Sequence, residues 1–133
     1  MKFNEISPID RRVKEWLNNI QSDLSLHFEL IPTLPEDTAL KVLHYFLECS
    51  CQAQNIRNIT LGREAISEMP REWVLKHIEK VANKMLNLEE DDWEFRRLAE
   101  LYSLLDRRLV QELVKKGVRS KNPEVVEAAQ DFS

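Results

Sequence analysis

The chain has 133 residues, 43 % of them apolar and 32 % charged, with a formal net charge of −4. That length supports one domain with a real core, and that balance excludes a disordered segment. The negative charge counts against a nucleic-acid binder of the usual basic kind, and two glycines are too few for a turn-rich β sandwich or barrel.

The predicted elements run as follows. Ser7-Pro8 opens a first helix with a capping hydroxyl and a proline at the first position. Ile9, Val13, Trp16, Leu17 and Ile20 then follow at helical spacing. A break falls near Ser22. From there to Leu34 two patterns compete: Leu24, Leu26, Phe28 and Leu30 alternate as a strand would, while Ile20, Leu24, Phe28 and Ile31 continue the helical stripe. Ser22, Asp23 and Ser25 weaken the helix, so an extended or irregular segment is expected. Pro35 opens a second helix to about Ala53, apolar almost all round and so expected to be central. A third helix is read from Thr60, as cap, to Met69. A fourth starts at Pro70, with Val74, Ile78, Val81 and Met85 on one stripe. The fifth begins at Asp91 or Asp92, whose charges suit the positive end of the helix dipole. Its stripe is Phe95, Leu98, Leu101, Tyr102 and Leu105. Asp106 caps the sixth helix, and Gly117 is read as its left-handed terminator. Asn122-Pro123 starts a short seventh through Val125, Ala128, Ala129 and Phe132.

Five apolar pairs share an offset of 36 residues: Ala65 with Leu101, Met69 with Leu105, Trp73 with Leu109, Val74 with Val110 and Ile78 with Val114. A register held across two segments points to stacked helical hairpins, each burying its face on its neighbour. The fold class expected is all-α: a short right-handed α-solenoid of about three hairpins plus a terminal helix. Residues 1–133 form one domain, with an N-terminal helix and irregular segment over 1–34 and the stacked helices over 35–133.

The last junction carries a resemblance. Leu109-Val110-Gln111-Glu112-Leu113-Val114, a short polar turn, Asn122-Pro123-Glu124-Val125 and the small pair Ala128-Ala129 together resemble the HEAT-repeat class of helical solenoids. The likeness is clear over 91–133, weaker over 57–90 and inferred for 1–56. Val126 stands where members of that class often carry an arginine bonded to the neighbouring repeat. The resemblance implies a protein-binding scaffold and brings no catalytic residue, metal or cofactor with it.

The start Met1-Lys2-Phe3-Asn4-Glu5 lacks a secretory layout, and no apolar run is long enough to span a membrane. Cys49 and Cys51, two apart on one helix, are badly placed for a mutual disulfide, so a reduced, cytoplasmic protein is expected. His44 and Cys51 are seven apart on one helix face, yet zinc needs about four N or S ligands and this set falls short. Glu89-Glu90-Asp91-Asp92 lacks the alternation and glycine of a calcium loop. Lys115, Lys116, Arg119 and Lys121 read as a helix end rather than a nucleic-acid groove.

Trp93 is the candidate contact residue, the alternative being that its helix packs on two sides and Trp93 meets the face of Leu104 in the core. At 100° per residue it lies about 140° from Leu98, off the apolar stripe, among Glu90, Asp91, Asp92 and Glu94. Residues 89–106 carry seven acids against two bases, and tryptophan is enriched at binding hot spots. The function expected is a non-enzymatic protein-interaction module, a small adaptor or immunity-type protein with a basic partner. One alternative is an enzyme or enzyme accessory, with His77 as the nominated histidine. The other is a self-associating protein, a homodimer paired along Leu24-Leu26-Phe28-Leu30.

Overall fold

The computed structural model describes the backbone from residue 8 and the side chains from residue 11, in each case through residue 133. The cap expected of Ser7 lies outside the described residues, as does the side chain of Ile9. The described chain is all-helical: α1 (Pro8–Ile20), α2 (Glu36–Ser50), α3 (Ile56–Glu68), α4 (Arg71–Met85), α5 (Asp92–Leu105), α6 (Arg107–Gly117) and α7 (Pro123–Asp131). No strand occurs among the described residues.

Between α1 and α2 the expected extended segment is instead two 3-10 turns, Leu24–Leu26 and Phe28–Thr33. Asp23 starts them in the left-handed region (φ 60°), which a short polar side chain tolerates. The alternation of leucines therefore has a different origin from a pleat. Leu24, Phe28 and Ile31 point into the core while Leu26 is 42 % exposed. The edge-to-edge dimer proposed for this run loses the strand it required.

α2 is central, as its apolar girth implied. It packs on α3, α4, α5 and the second 3-10 turn. It ends at Ser50, three residues earlier than expected. α3 begins earlier than expected, at Ile56, because Asn55 accepts the Asn58 N–H (3.1 Å); Thr60 is an exposed interior residue, not a cap. The α2–α3 crossing is close because Gly62 has no side chain there. A Cβ at that position would lie 2.4 Å from the Phe46 carbonyl oxygen.

Buried positions recur at two spacings. α2 and α4 are both 15 residues long and follow Pro35 and Pro70. Buried positions recur every 35 residues along α2, α4 and α6: Ala39, Val74 and Leu109; Leu43, Ile78 and Leu113; Leu47, Ala82 and Gly117. α3 and α5 instead repeat at 36, through Ile59 and Phe95, Gly62 and Leu98, Ala65 and Leu101, Ile66 and Tyr102. Their caps match too, since Asp91 accepts the Glu94 N–H at 3.1 Å as Asn55 does with Asn58. The offset of 36 thus holds for Ala65 with Leu101 and for Met69 with the partly buried Leu105, but not for the three pairs that join α4 to α6. On α6 the buried residue is Leu109, not Val110, so that helix is turned by one residue, about 100°, relative to α4.

Gly117 also needs correction. No described glycine has positive φ, and Gly117 is the last residue of α6 rather than a left-handed cap. Its role is contact: an added Cβ would meet Phe95 Cζ at 2.5 Å and Ala129 Cβ at 2.6 Å. α5, α6 and α7 close on one another around that point.

Candidate functional site

Trp93 sits in the first turn of α5 and is 50 % exposed, whereas Leu98 on the same helix is fully buried. The indole does not enter the core. The Arg97 guanidinium lies over its ring, 5.5 Å from the centroid, one turn further along the helix. Arg97 is itself held, donating to the Ala53 carbonyl (2.7 Å) and to Glu100 Oε1 (3.0 Å). Glu100 also takes a bond from Arg63 of α3. A chain of groups from α3 through α5 to the α2–α3 loop thereby fixes the platform on which the indole rests.

The surrounding acids are partly occupied. Asp91 caps α5, accepting the N–H groups of Trp93 (3.0 Å) and Glu94 (3.1 Å). Asp92 pairs with Arg96 (3.7 Å), which also reaches Asp131 of α7 (2.8 Å). Glu94 accepts the Asn87 N–H (3.1 Å), and Glu90 accepts the Asn87 side chain (3.0 Å). Glu89 accepts the Ser120 hydroxyl (3.0 Å), and the Glu90 carbonyl accepts from Asn122 (3.3 Å). These bonds leave charge uncancelled. Among the described residues, no cation lies within ion-pair distance of Glu89, Glu90, Asp91 or Glu94. The face around Trp93 is therefore negative, with a half-exposed aromatic ring in it.

Glu94 responds mainly to its burial. Partial burial, then the nearby Asp91 and Glu48 carboxylates, push its carboxyl above the ordinary range, against the lowering effect of the Asn87 N–H bond. An acid whose folded pKa exceeds its unfolded value binds its proton more tightly when folded. Stability therefore falls as pH rises from the unfolded value through the folded one. Glu94→Gln keeps an acceptor for Asn87 and removes the charge. Its stability relative to wild type is expected to increase as pH rises from about 4 to 7. Urea denaturation at stepped pH reads this, and a constant difference across that range would contradict it.

Beneath the platform lies Cys51, 3 % exposed, at the C-terminal end of α2. Burial, reinforced by Glu94 and Glu100 and opposed by Arg63, pushes its thiol up to about 12. Burial raises the Cys49 thiol as well. Both stay protonated at neutral pH, the inert state of a cysteine. The shared face expected of His44 and Cys51 does not exist, since His44 is exposed and near Glu48 (3.7 Å) while Cys51 faces inward. Among the described residues no group of three metal-ligating side chains forms. His77 is half-buried with its ring 5.0 Å from that of Trp73. Lys115, Lys116, Arg119 and Lys121 are exposed at the α6 end and the loop beyond.

The sequence offered Trp93 and its acids, and it marked Arg63, Arg96, Arg97, Arg107 and Arg108 as able to pair with acids, but it did not give Glu100 as the partner that Arg63 and Arg97 share. Arg97 and Glu100 stand one turn apart on α5, which hints at a pair; nothing local marks Arg63 as the third member. No protein-family model, characterised protein or solved structure matches the chain. No helix of the described residues is long and apolar enough to cross a membrane.

Proposed function

We propose that this chain is a non-enzymatic protein-interaction module, cytoplasmic, that uses the Trp93 face to hold a basic protein. The architecture proposed is a short right-handed solenoid of the HEAT-like kind, in which α2 packs on α3 and α4, and α5, α6 and α7 pack on one another. The recurrence of buried positions along α2, α4 and α6 supports it. A small adaptor or a bacterial immunity-type protein fits the size and charge.

One observation carries the reading: a half-exposed tryptophan under the Arg97 guanidinium, with Glu89, Glu90, Asp91 and Glu94 nearby and no cation within ion-pair distance of those four among the described residues. A ring already in contact with a neighbour before binding costs less entropy to use. The carboxylates attract and orient a cationic surface. Asp91 is unsuitable for testing this, because its loss would uncap α5 at a cost of about 1 kcal/mol. Trp93→Ala and Glu90→Lys are the appropriate variants.

The experiment is a tagged pull-down from native lysate, followed by titration of the captured protein. A basic partner is expected, bound about 30-fold more weakly by Trp93→Ala and weakened further by added salt. Equal affinity for wild type and both variants would remove this face from the account.

A further inference from the structure

A second surface lies on the α2 and α4 helices, on residues the Trp93 face does not use. Between these two helices runs an open groove with a volume of about 410 Å³. Its floor is apolar: Leu40 of α2 with Val81 and Met85 of α4, each only partly covered by the protein. Lys41 on one wall and Lys80 and Lys84 on the other rise around that floor, all exposed. None of the three lysines makes an ion pair or side-chain hydrogen bond among the described residues. Asp37 is the single acid lining the groove, and His44 stands beside it.

The combination is specific. In a chain of net charge −4, three unpaired ammonium groups converge on one apolar strip. Asp37 stands one turn before Lys41 without reaching ion-pair distance, and neither Lys80 nor Lys84 has an acid three or four residues away on α4. A strip of partly exposed leucine, valine and methionine is what an apolar ridge on another helix would cover. A nucleic acid would gain from the lysines but leave the floor idle, and it favours a longer run of cations. A bilayer takes an apolar face that projects, not one recessed between lysines.

We propose that the α2–α4 groove is a docking site for an acidic amphipathic helix of a protein partner. Its apolar ridge lies on Leu40, Val81 and Met85, and its flanking carboxylates meet Lys41, Lys80 and Lys84. This site is separate from the Trp93 face and does not rest on it. The chain then presents two surfaces of opposite sign, one for a basic partner and one for an acidic helix.

The test uses a fluorescein-labelled synthetic helix of about 14 residues, about 21 Å long, with leucines at i, i+4, i+7 and i+11 flanked by glutamates. Anisotropy is measured with the whole chain. Lys80→Glu combined with Lys84→Glu is expected to weaken binding about tenfold or more, and Val81→Asp to weaken it too. Lys116→Glu combined with Lys121→Glu, a charge-matched change elsewhere, is expected to leave it unaltered. A version of the peptide with glutamine for glutamate is expected to bind weakly. Absence of saturable binding, or equal losses for both double reversals, would overturn the proposal. So would displacement of the peptide by phosphatidylglycerol vesicles held through the same lysines, or a wild-type dimer in sedimentation that Lys80→Glu with Lys84→Glu abolishes. Those two results would assign the groove to a lipid surface or to a second copy.

Discussion

Phe95→Ala is expected to cost about 3–5 kcal/mol of folding stability, at the upper part of the range for a buried aromatic. Phe95 is 1 % exposed and sits where α5, α6 and α7 meet. The ring fills space that its neighbours cannot reclaim, because Gly117 has no side chain and Ala129 offers one methyl group. Collapse of the cavity would require α6 and α7 to move as bodies. The expected signature is a fall in Tm of roughly 10–20 °C. Adding volume from the other side is not expected to recover the loss, because a Cβ at Gly117 still meets Ala129 Cβ at 2.6 Å, so Phe95→Ala with Gly117→Ala should be no more stable than Phe95→Ala alone. Thermal and urea denaturation of the two variants reads both effects. A loss below about 1 kcal/mol for Phe95→Ala would contradict the three-helix junction as described.

Gly62→Ala is expected to destabilise by about 2 kcal/mol, against the gain of about 1 kcal/mol that alanine normally brings to a helix interior. The sign is set by what the new methyl group meets. Its nearest atoms are the Phe46 carbonyl oxygen at 2.4 Å, the Ser50 hydroxyl at 2.4 Å and the Ser50 backbone nitrogen at 2.7 Å. The hydroxyl can rotate away from its bond to the Phe46 carbonyl (2.8 Å). The two backbone atoms cannot, so α2 and α3 must separate along their closest contact. Ser50→Gly is therefore expected not to rescue Gly62→Ala. Net stabilisation by Gly62→Ala in urea denaturation would show that the helices cross further apart than described.

The two glycines illustrate what could be read in the chain and what could not. A glycine after Lys115-Lys116 looks like a helix terminator from local sequence. Its actual service, admitting Phe95 and Ala129, is a tertiary relation between residues far apart in the chain. Helix existence was legible throughout because apolar spacing is local. Caps were legible where an Asp or Asn stood before the stripe, as at Asp91, Asp106 and Asn122. At Asn55 the signal was present but obscured by the exposed Ile56, which delayed the expected start of α3. The alternation from Leu24 to Leu30 misled because two consecutive 3-10 turns also bury residues at short intervals. Periodicity suggested one spacing, whereas buried positions recur at 35 residues along α2, α4 and α6 and at 36 along α3 and α5.

The same division holds for the candidate site. Trp93 could be placed off the apolar stripe by counting angles, and it lies half exposed. The acids around it looked free in sequence, yet Asp91 is committed to its helix cap and Asp92 to Arg96. What remains negative is set by Glu89, Glu90 and Glu94 together with the capping charge. The lysine groove was invisible, because Lys41 and Lys80 belong to helices that meet only in the folded chain.

Fluorine NMR of the chain labelled with 5-fluorotryptophan tests the central claim most directly. The three tryptophans, Trp16, Trp73 and Trp93, each give one signal, and Trp93→Phe assigns the third. On addition of the captured basic partner, the Trp93 signal is expected to shift or broaden while those of Trp16 and Trp73 hold their positions. A Trp93 signal that stays unmoved at saturating partner would contradict the account and place the binding surface elsewhere on the protein.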